Sequence, residues 1–136
     1  MSQDPTATFR ASLQRCLMNP AFFESFYELF IGTSEEVKEK FKNTDIKRQS
    51  RMLQDSLFVL AVAAQGGDSS PARYSLPGLA EKHSHKGFDI RPELYDLWLD
   101  ALLETVKRHD PKHSAEVAEA WRTTLTPGIE YMRAHR

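Results

Sequence analysis

Residues 79–95 read LAEKHSHKGFDIRPELY. Leu79 to His85 has the composition of a short helix, Gly87 breaks it, and Arg91-Pro92 opens a second. Proline is preset for the first helical position and disfavours helix in the residue before it. The spacing predicts the short helix over about 76–85 and the longer one over about 92–109, with Leu94, Trp98, Leu102 and Val106 facing inward. The short helix carries His83, and the rest of the chain must decide whether that imidazole is surface or site.

Toward the N-terminus, Pro5 opens a weakly amphipathic helix over 5–17 with Phe9, Leu13 and Leu17 on one face. Asn19-Pro20 supplies a good cap and a good first residue for a helix over about 20–31. That helix carries Phe22, Phe23, Phe26, Tyr27 and Phe30, whose spacing of three and four makes an aromatic stripe, and Gly32 ends it. Ser34-Glu35-Glu36-Val37 reads as a capped helical turn leading to Phe41. Asn43-Thr44-Asp45 starts a long helix over about 45–64, with Gln49, Met52, Leu53, Ser56, Leu57, Leu60 and Ala64 on one face. Residues 66–71, GGDSSP, form a loop by composition.

Toward the C-terminus, Asp110-Pro111 stops the helix that Pro92 began. The last helix is expected over about 113–133, with Val117, Trp121, Leu125 and Ile129 or Met132 inward. Pro127 falls inside that pattern and is expected to kink or interrupt it. No strand-type alternation and no internal repeat is visible. The chain reads as all-α, with about seven helices.

At 136 residues the chain suits one domain able to bury its own core. A formal charge of −1 at pH 7 gives no basic footprint for nucleic acid and no polybasic patch for a membrane surface. The longest apolar run, Leu57–Ala64, is far below the ~20 residues a membrane-spanning helix needs. Cys16 is the sole cysteine, so no intrachain disulfide forms, and the N-terminus lacks the basic-then-apolar pattern of a signal peptide. A cytoplasmic location is expected. There is no C-x-x-C pair, no H-E-x-x-H, no phosphate loop and no dinucleotide fingerprint. His83-Ser84-His85 and His109/His113 have metal-like spacings, but His109 and His113 straddle the Pro111 break in hydrophilic surroundings and read as surface.

Three segments, taken in order, resemble the bacterial single-domain globins over about Phe22 to Met132. They are Phe26-Tyr27 followed by Phe41; Leu79-Ala80-Glu81-Lys82-His83 followed by Gly87 and Pro92-Glu93-Leu94-Tyr95; and Ala120-Trp121-Arg122. The resemblance implies a single globin domain over 1–136, folded as a three-over-three helical sandwich around haem b (iron protoporphyrin IX). It implies that His83 is the metal ligand, Tyr27 the distal tyrosine, Phe41 the residue stacked on the porphyrin, and Gln49 the distal residue of the long helix. Leu53, one turn on, would face the ligand. A shift of one or two residues would put Arg48 or Arg51 at the place of Gln49.

Chemistry at these positions is consistent with that role. A neutral imidazole suits ferrous haem iron and leaves the sixth position open. Its second nitrogen needs an acceptor, for which the carbonyl near Leu79 is the candidate. From spacing alone His83 reads first as an exposed histidine in a Lys/His-rich corner; the bland alternatives are a core phenol on a backbone carbonyl for Tyr27 and a solvated helix residue for Gln49. His85 points to another side and reads as surface. Phe88 and Trp98 join the cofactor-lining candidates, and Arg48, Arg51 or Lys86 are candidates to pair with the propionates, since guanidinium matches carboxylate geometry.

The function expected from this set is reversible binding of dioxygen, with nitric oxide and carbon monoxide as further ligands, for storage, delivery or sensing. One alternative is nitric oxide or peroxide detoxification with an external reductase; another is a haem-free sensory module. Some relatives carry a tyrosine one turn after the last-helix tryptophan, where this chain has Leu125, and the length is expected to leave no flavin reductase domain. Both observations weigh against a self-sufficient dioxygenase. The oligomeric state is not legible.

Overall fold

The computed structural model describes residues 4–66 and 92–134. Its helices are α1 (Pro5–Leu17), α2 (Phe22–Ile31), α3 (Glu35–Phe41), α4 (Ile46–Gly66), α5 (Pro92–His109) and α6 (Ala115–Ala134). No strand occurs among the described residues. α1 and α4 pack on α6, α2 packs on α5, and α5 packs on α6. This is the three-over-three sandwich in its described part. The helix expected at about 76–85, with Leu79, His83, Lys86 and Phe88, lies outside the described residues.

Local chemistry sets the helix ends. Asp4 caps α1, its Oδ1 accepting from Thr6 N–H at 3.1 Å, with Pro5 as first residue. Ser34 caps α3 by accepting from Val37 N–H at 3.1 Å, and Ser114 caps α6 by accepting from Val117 N–H at 3.2 Å. α2 starts two residues later than expected. Asn19 closes a turn instead, accepting from Ala21 N–H at 2.9 Å, while its amide Nδ2 lies 2.7 Å from His109 Nδ1. That long-range partner on the last turn of α5 wins over the local cap. His109 is therefore half-buried and edges onto Phe22, rather than lying on the surface as expected.

Most of the expected inward faces are buried, while Leu17, Gln49, Met52, Ser56, Ala64 and Trp98 are half-buried. Phe9 and Leu13 of α1, Leu53, Leu57 and Leu60 of α4, Leu94, Leu102 and Val106 of α5, and Val117, Trp121, Leu125, Ile129 and Met132 of α6 form one core. Fully burying a side chain of this size contributes about 1.5–3 kcal/mol. α6 is helical straight through Pro127, so the expected interruption does not occur. Pro127 is exposed, on the side where carbonyls can tilt toward water and accommodate its ring. Its neighbour Gly128 is buried at the crossing of α4 and α6, where a Cβ would overlap Leu60 Cδ2.

A polar knot ties α1 to the corner between α5 and α6. Trp121 Nε1 donates to Ser12 Oγ at 2.9 Å, and Ser12 Oγ donates to Asp110 Oδ2 at 2.6 Å. Arg15 grips the same carboxylate with two bonds, Nε to Oδ1 at 2.6 Å and Nη2 to Oδ2 at 2.9 Å, and Lys112 N–H is a second donor to Oδ1 at 2.8 Å. Burial by itself would push the Asp110 carboxyl up. The bonds from Arg15, Ser12 and the Lys112 backbone, with the Arg15 charge, outweigh it and hold the group at about 2. Burial, helped by the nearby Asp110 carboxylate, pushes the Cys16 thiol up to about 12, so it stays protonated and unreactive.

Asp110 binds its proton less readily folded than unfolded, so its stabilisation is complete above the ordinary carboxylate range and is lost as pH falls from about 5 toward 2. Asp110→Asn should remove roughly 2 kcal/mol of stability at pH 7 and flatten the acid limb of urea-unfolding free energy against pH; an unchanged acid limb would show the knot to be without weight. Gly128→Ala should cost about 1–2 kcal/mol despite alanine's better helix propensity. Adding Leu60→Ala should make the pair less destabilised than the sum of the single changes, read from denaturant midpoints.

Candidate functional site

The aromatic stripe of α2 is the floor of the site. Phe22, Phe26, Tyr27 and Phe30 are buried, and their rings meet neighbours on two other helices, α3 and α5. Phe26 and Tyr27 pack edge to face at 4.9 Å between centroids, and Phe26 stacks on Phe30 at 5.5 Å. Phe41, at the end of α3, touches both Tyr27 and Phe30 at 5.7 Å. Trp98 of α5 edges onto Phe26 at 6.3 Å. Aromatic pairs in these arrangements contribute about 0.5–1.5 kcal/mol beyond the area they bury.

Tyr27 places one hydroxyl inside this apolar wall and is only 4% exposed. A buried phenol without a partner is costly. Here its O–H donates to the backbone carbonyl of Gln49, in the first turn of α4, at 3.2 Å. Burial raises the phenol well above its ordinary value, the bond to Gln49 opposing it only in part. Asp45 fixes where that first turn begins, its Oδ1 accepting from Lys47 N–H at 3.0 Å and Arg48 N–H at 3.3 Å. Gln49 is half-buried, and Leu53, one turn on, is buried.

The family model for globins matches residues 23–129. This chain belongs to the globin family. A protein of Pseudomonas aeruginosa PAO1, whose crystal structure is described as structurally highly homologous to a human hemoglobin, superposes with a TM-score of 0.90 at 37% identity, over 97% of this chain and 98% of its own. No curated protein matches the chain.

In this globin Tyr27 meets Phe41 and the Gln49 backbone, Phe26 meets Trp98, and Leu53 is buried in the same core. Phe41 and Trp98 are half-buried while Phe26 and Tyr27 are covered, so the wall's rim is apolar and aromatic, and it fits a flat, greasy ring. Arg48 and Arg51 are both exposed on α4. Leu79, His83 and Phe88 lie outside the described residues. The bond from Tyr27 is made to the main chain of Gln49 rather than to its side chain.

The knot of Ser12, Arg15, Asp110 and Trp121 was not foreseen. A signal for it existed: Asp110 follows the last turn of α5, at the negative end of the helix dipole, where a carboxylate is unfavourable without cationic compensation.

Because the Tyr27 phenol ionises less readily folded than unfolded, it favours the folded state below about pH 10, and this contribution is lost as pH climbs past that value. A titration of phenolate absorbance should therefore show Tyr27 ionising only with alkaline unfolding. The curves of wild type and Tyr27→Phe should coincide before that transition; an earlier difference would show a solvated phenol.

Proposed function

We propose that this globin, as one domain over residues 1–136, holds haem b and reversibly binds dioxygen, with nitric oxide and carbon monoxide as further ligands. The observation that carries the reading is the aromatic wall of α2, α3 and α5 closing on Tyr27 and the first turn of α4 in a chain of the globin family. When bound, haem iron supplies a coordination position for a diatomic ligand. His83 would supply the imidazole that holds the iron, and the Leu79 carbonyl would accept from its second nitrogen. Phe41, Leu53, Phe88 and Trp98 line the cofactor and exclude water from it. Tyr27 and Gln49 are the polar groups beside the ligand. Arg48 and Arg51, exposed on α4, are suited to the propionates.

Storage, delivery or sensing of oxygen is favoured over peroxide chemistry by Leu125. It is fully buried one turn after Trp121, where a proximal tyrosine would otherwise polarise the axial imidazole. Turnover of nitric oxide would require an external reductase, and sustained nitrate formation from the oxygenated protein with an electron donor would establish it. No helix among the described residues is long and apolar enough to cross a membrane. The cytoplasm is the proposed location.

Purified protein reconstituted with haem should give a Soret band and distinct ferrous, ferric and oxygenated spectra. His83→Ala should lose haem on gel filtration while His85→Ala retains it. A colourless wild type, or haem retained equally by His83→Ala, contradicts the assignment.

A further inference from the structure

A phenol owns a single proton and can accept hydrogen bonds at the same oxygen. In this globin that proton is already given to the α4 backbone, at the Gln49 carbonyl 3.2 Å away. Dioxygen and carbon monoxide can only accept. For Tyr27 to donate to either, its O–H must turn away from Gln49 and abandon a bond made inside an apolar cluster. Water, hydrogen peroxide and hydrogen sulfide carry protons of their own and can donate to the Tyr27 oxygen while that bond stays intact. We propose that Tyr27 acts as a hydrogen-bond acceptor toward whatever occupies its pocket, so that this side chain favours small proton-bearing ligands over dioxygen and leaves donation to dioxygen to the Gln49 side-chain amide. The proposal rests on the haem-pocket reading above for what the ligand binds to, but not for the state of the Tyr27 proton.

The neighbours support a fixed phenol. Tyr27 is wedged between Phe26 and Phe41, at 4.9 and 5.7 Å between ring centroids, so the ring cannot swing without moving two aromatic partners. The acceptor is main chain within a 21-residue helix, so it stays in place when the Gln49 side chain is changed. A phenol free to donate to dioxygen would slow its release by roughly tenfold to a hundredfold, as a hydrogen bond to a charged acceptor does. One that must first surrender an existing bond forfeits most of that factor.

Two measurements test this. In the haem-free protein, nuclear magnetic resonance should show a slowly exchanging Tyr27 hydroxyl proton that is absent in Tyr27→Phe and persists in Gln49→Leu. Its absence in wild type, or its loss in Gln49→Leu, overturns the proposal whether or not haem binds. In the haem-loaded protein, stopped-flow release of dioxygen should quicken by less than about threefold in Tyr27→Phe and by about tenfold or more in Gln49→Leu. The ferric protein at pH 6 should show the absorption bands of bound water in wild type and in Gln49→Leu but not in Tyr27→Phe. A tenfold faster release in Tyr27→Phe, or water bands unchanged by it, overturns the proposal alone. A protein that takes up no haem overturns the haem reading, and with it the ligand preference, while the proton assignment still stands or falls on the hydroxyl resonance.

Discussion

One hydroxyl inside a wall of rings sets the terms for this molecule. α2 must bury four aromatic side chains, and only one of them, Tyr27, has a polar atom to satisfy. Its partner is a carbonyl in the first turn of α4, which ties the start of that helix to the middle of α2. The same rings reach Phe41 of α3 and Trp98 of α5. The core on this side and the distal half of the candidate pocket are therefore one object. Rearranging it for a ligand means breaking ring contacts as well as one hydrogen bond.

A second tie in the core is held by different physics. There Asp110, a fully desolvated carboxylate side chain, takes donors from Ser12 and Arg15 of α1 and from the Lys112 backbone after α5, while the indole of Trp121 donates to Ser12. Breaking one partner of such a buried pair costs more than the pair contributes, because the remaining charge is left stranded. The knot adjoins the aromatic stripe, because His109, next to Asp110, edges onto Phe22. The cysteine beside it is kept inert by burial rather than poised for reaction.

Much of this was legible in the sequence, and the exceptions share a cause. Apolar residues at spacings of three and four placed α1 to α6, and the inward faces of α4, α5 and α6 followed from the same periodicity. Tyr27, Phe41, Gln49 and Leu53 were expected in one pocket because the globin resemblance fixed their order. What periodicity could not supply was pairing at long range. Asn19 looked like a cap and instead spends its amide on His109, ninety residues away in the chain. Asp110 looked like a helix stop and is also the hub of the knot. Pro127 looked like a break, yet its exposed side lets α6 continue. The phenol of Tyr27 had two readings from sequence, pocket donor or core group on a backbone carbonyl, and its hydrogen bond follows the second.

Membership of the globin family and the aromatic wall lead to the same central claim, that His83 and the Tyr27 face enclose a haem between them. The most direct measurement is a crystal structure of the haem-loaded protein with an anomalous map at the iron edge. The account predicts one iron peak bonded to the His83 imidazole, with Phe41 against the porphyrin and Tyr27 and Gln49 on the opposite side. An iron peak on another ligand, or His83 turned to solvent with the wall of α2 closed over empty of any ring, would contradict it.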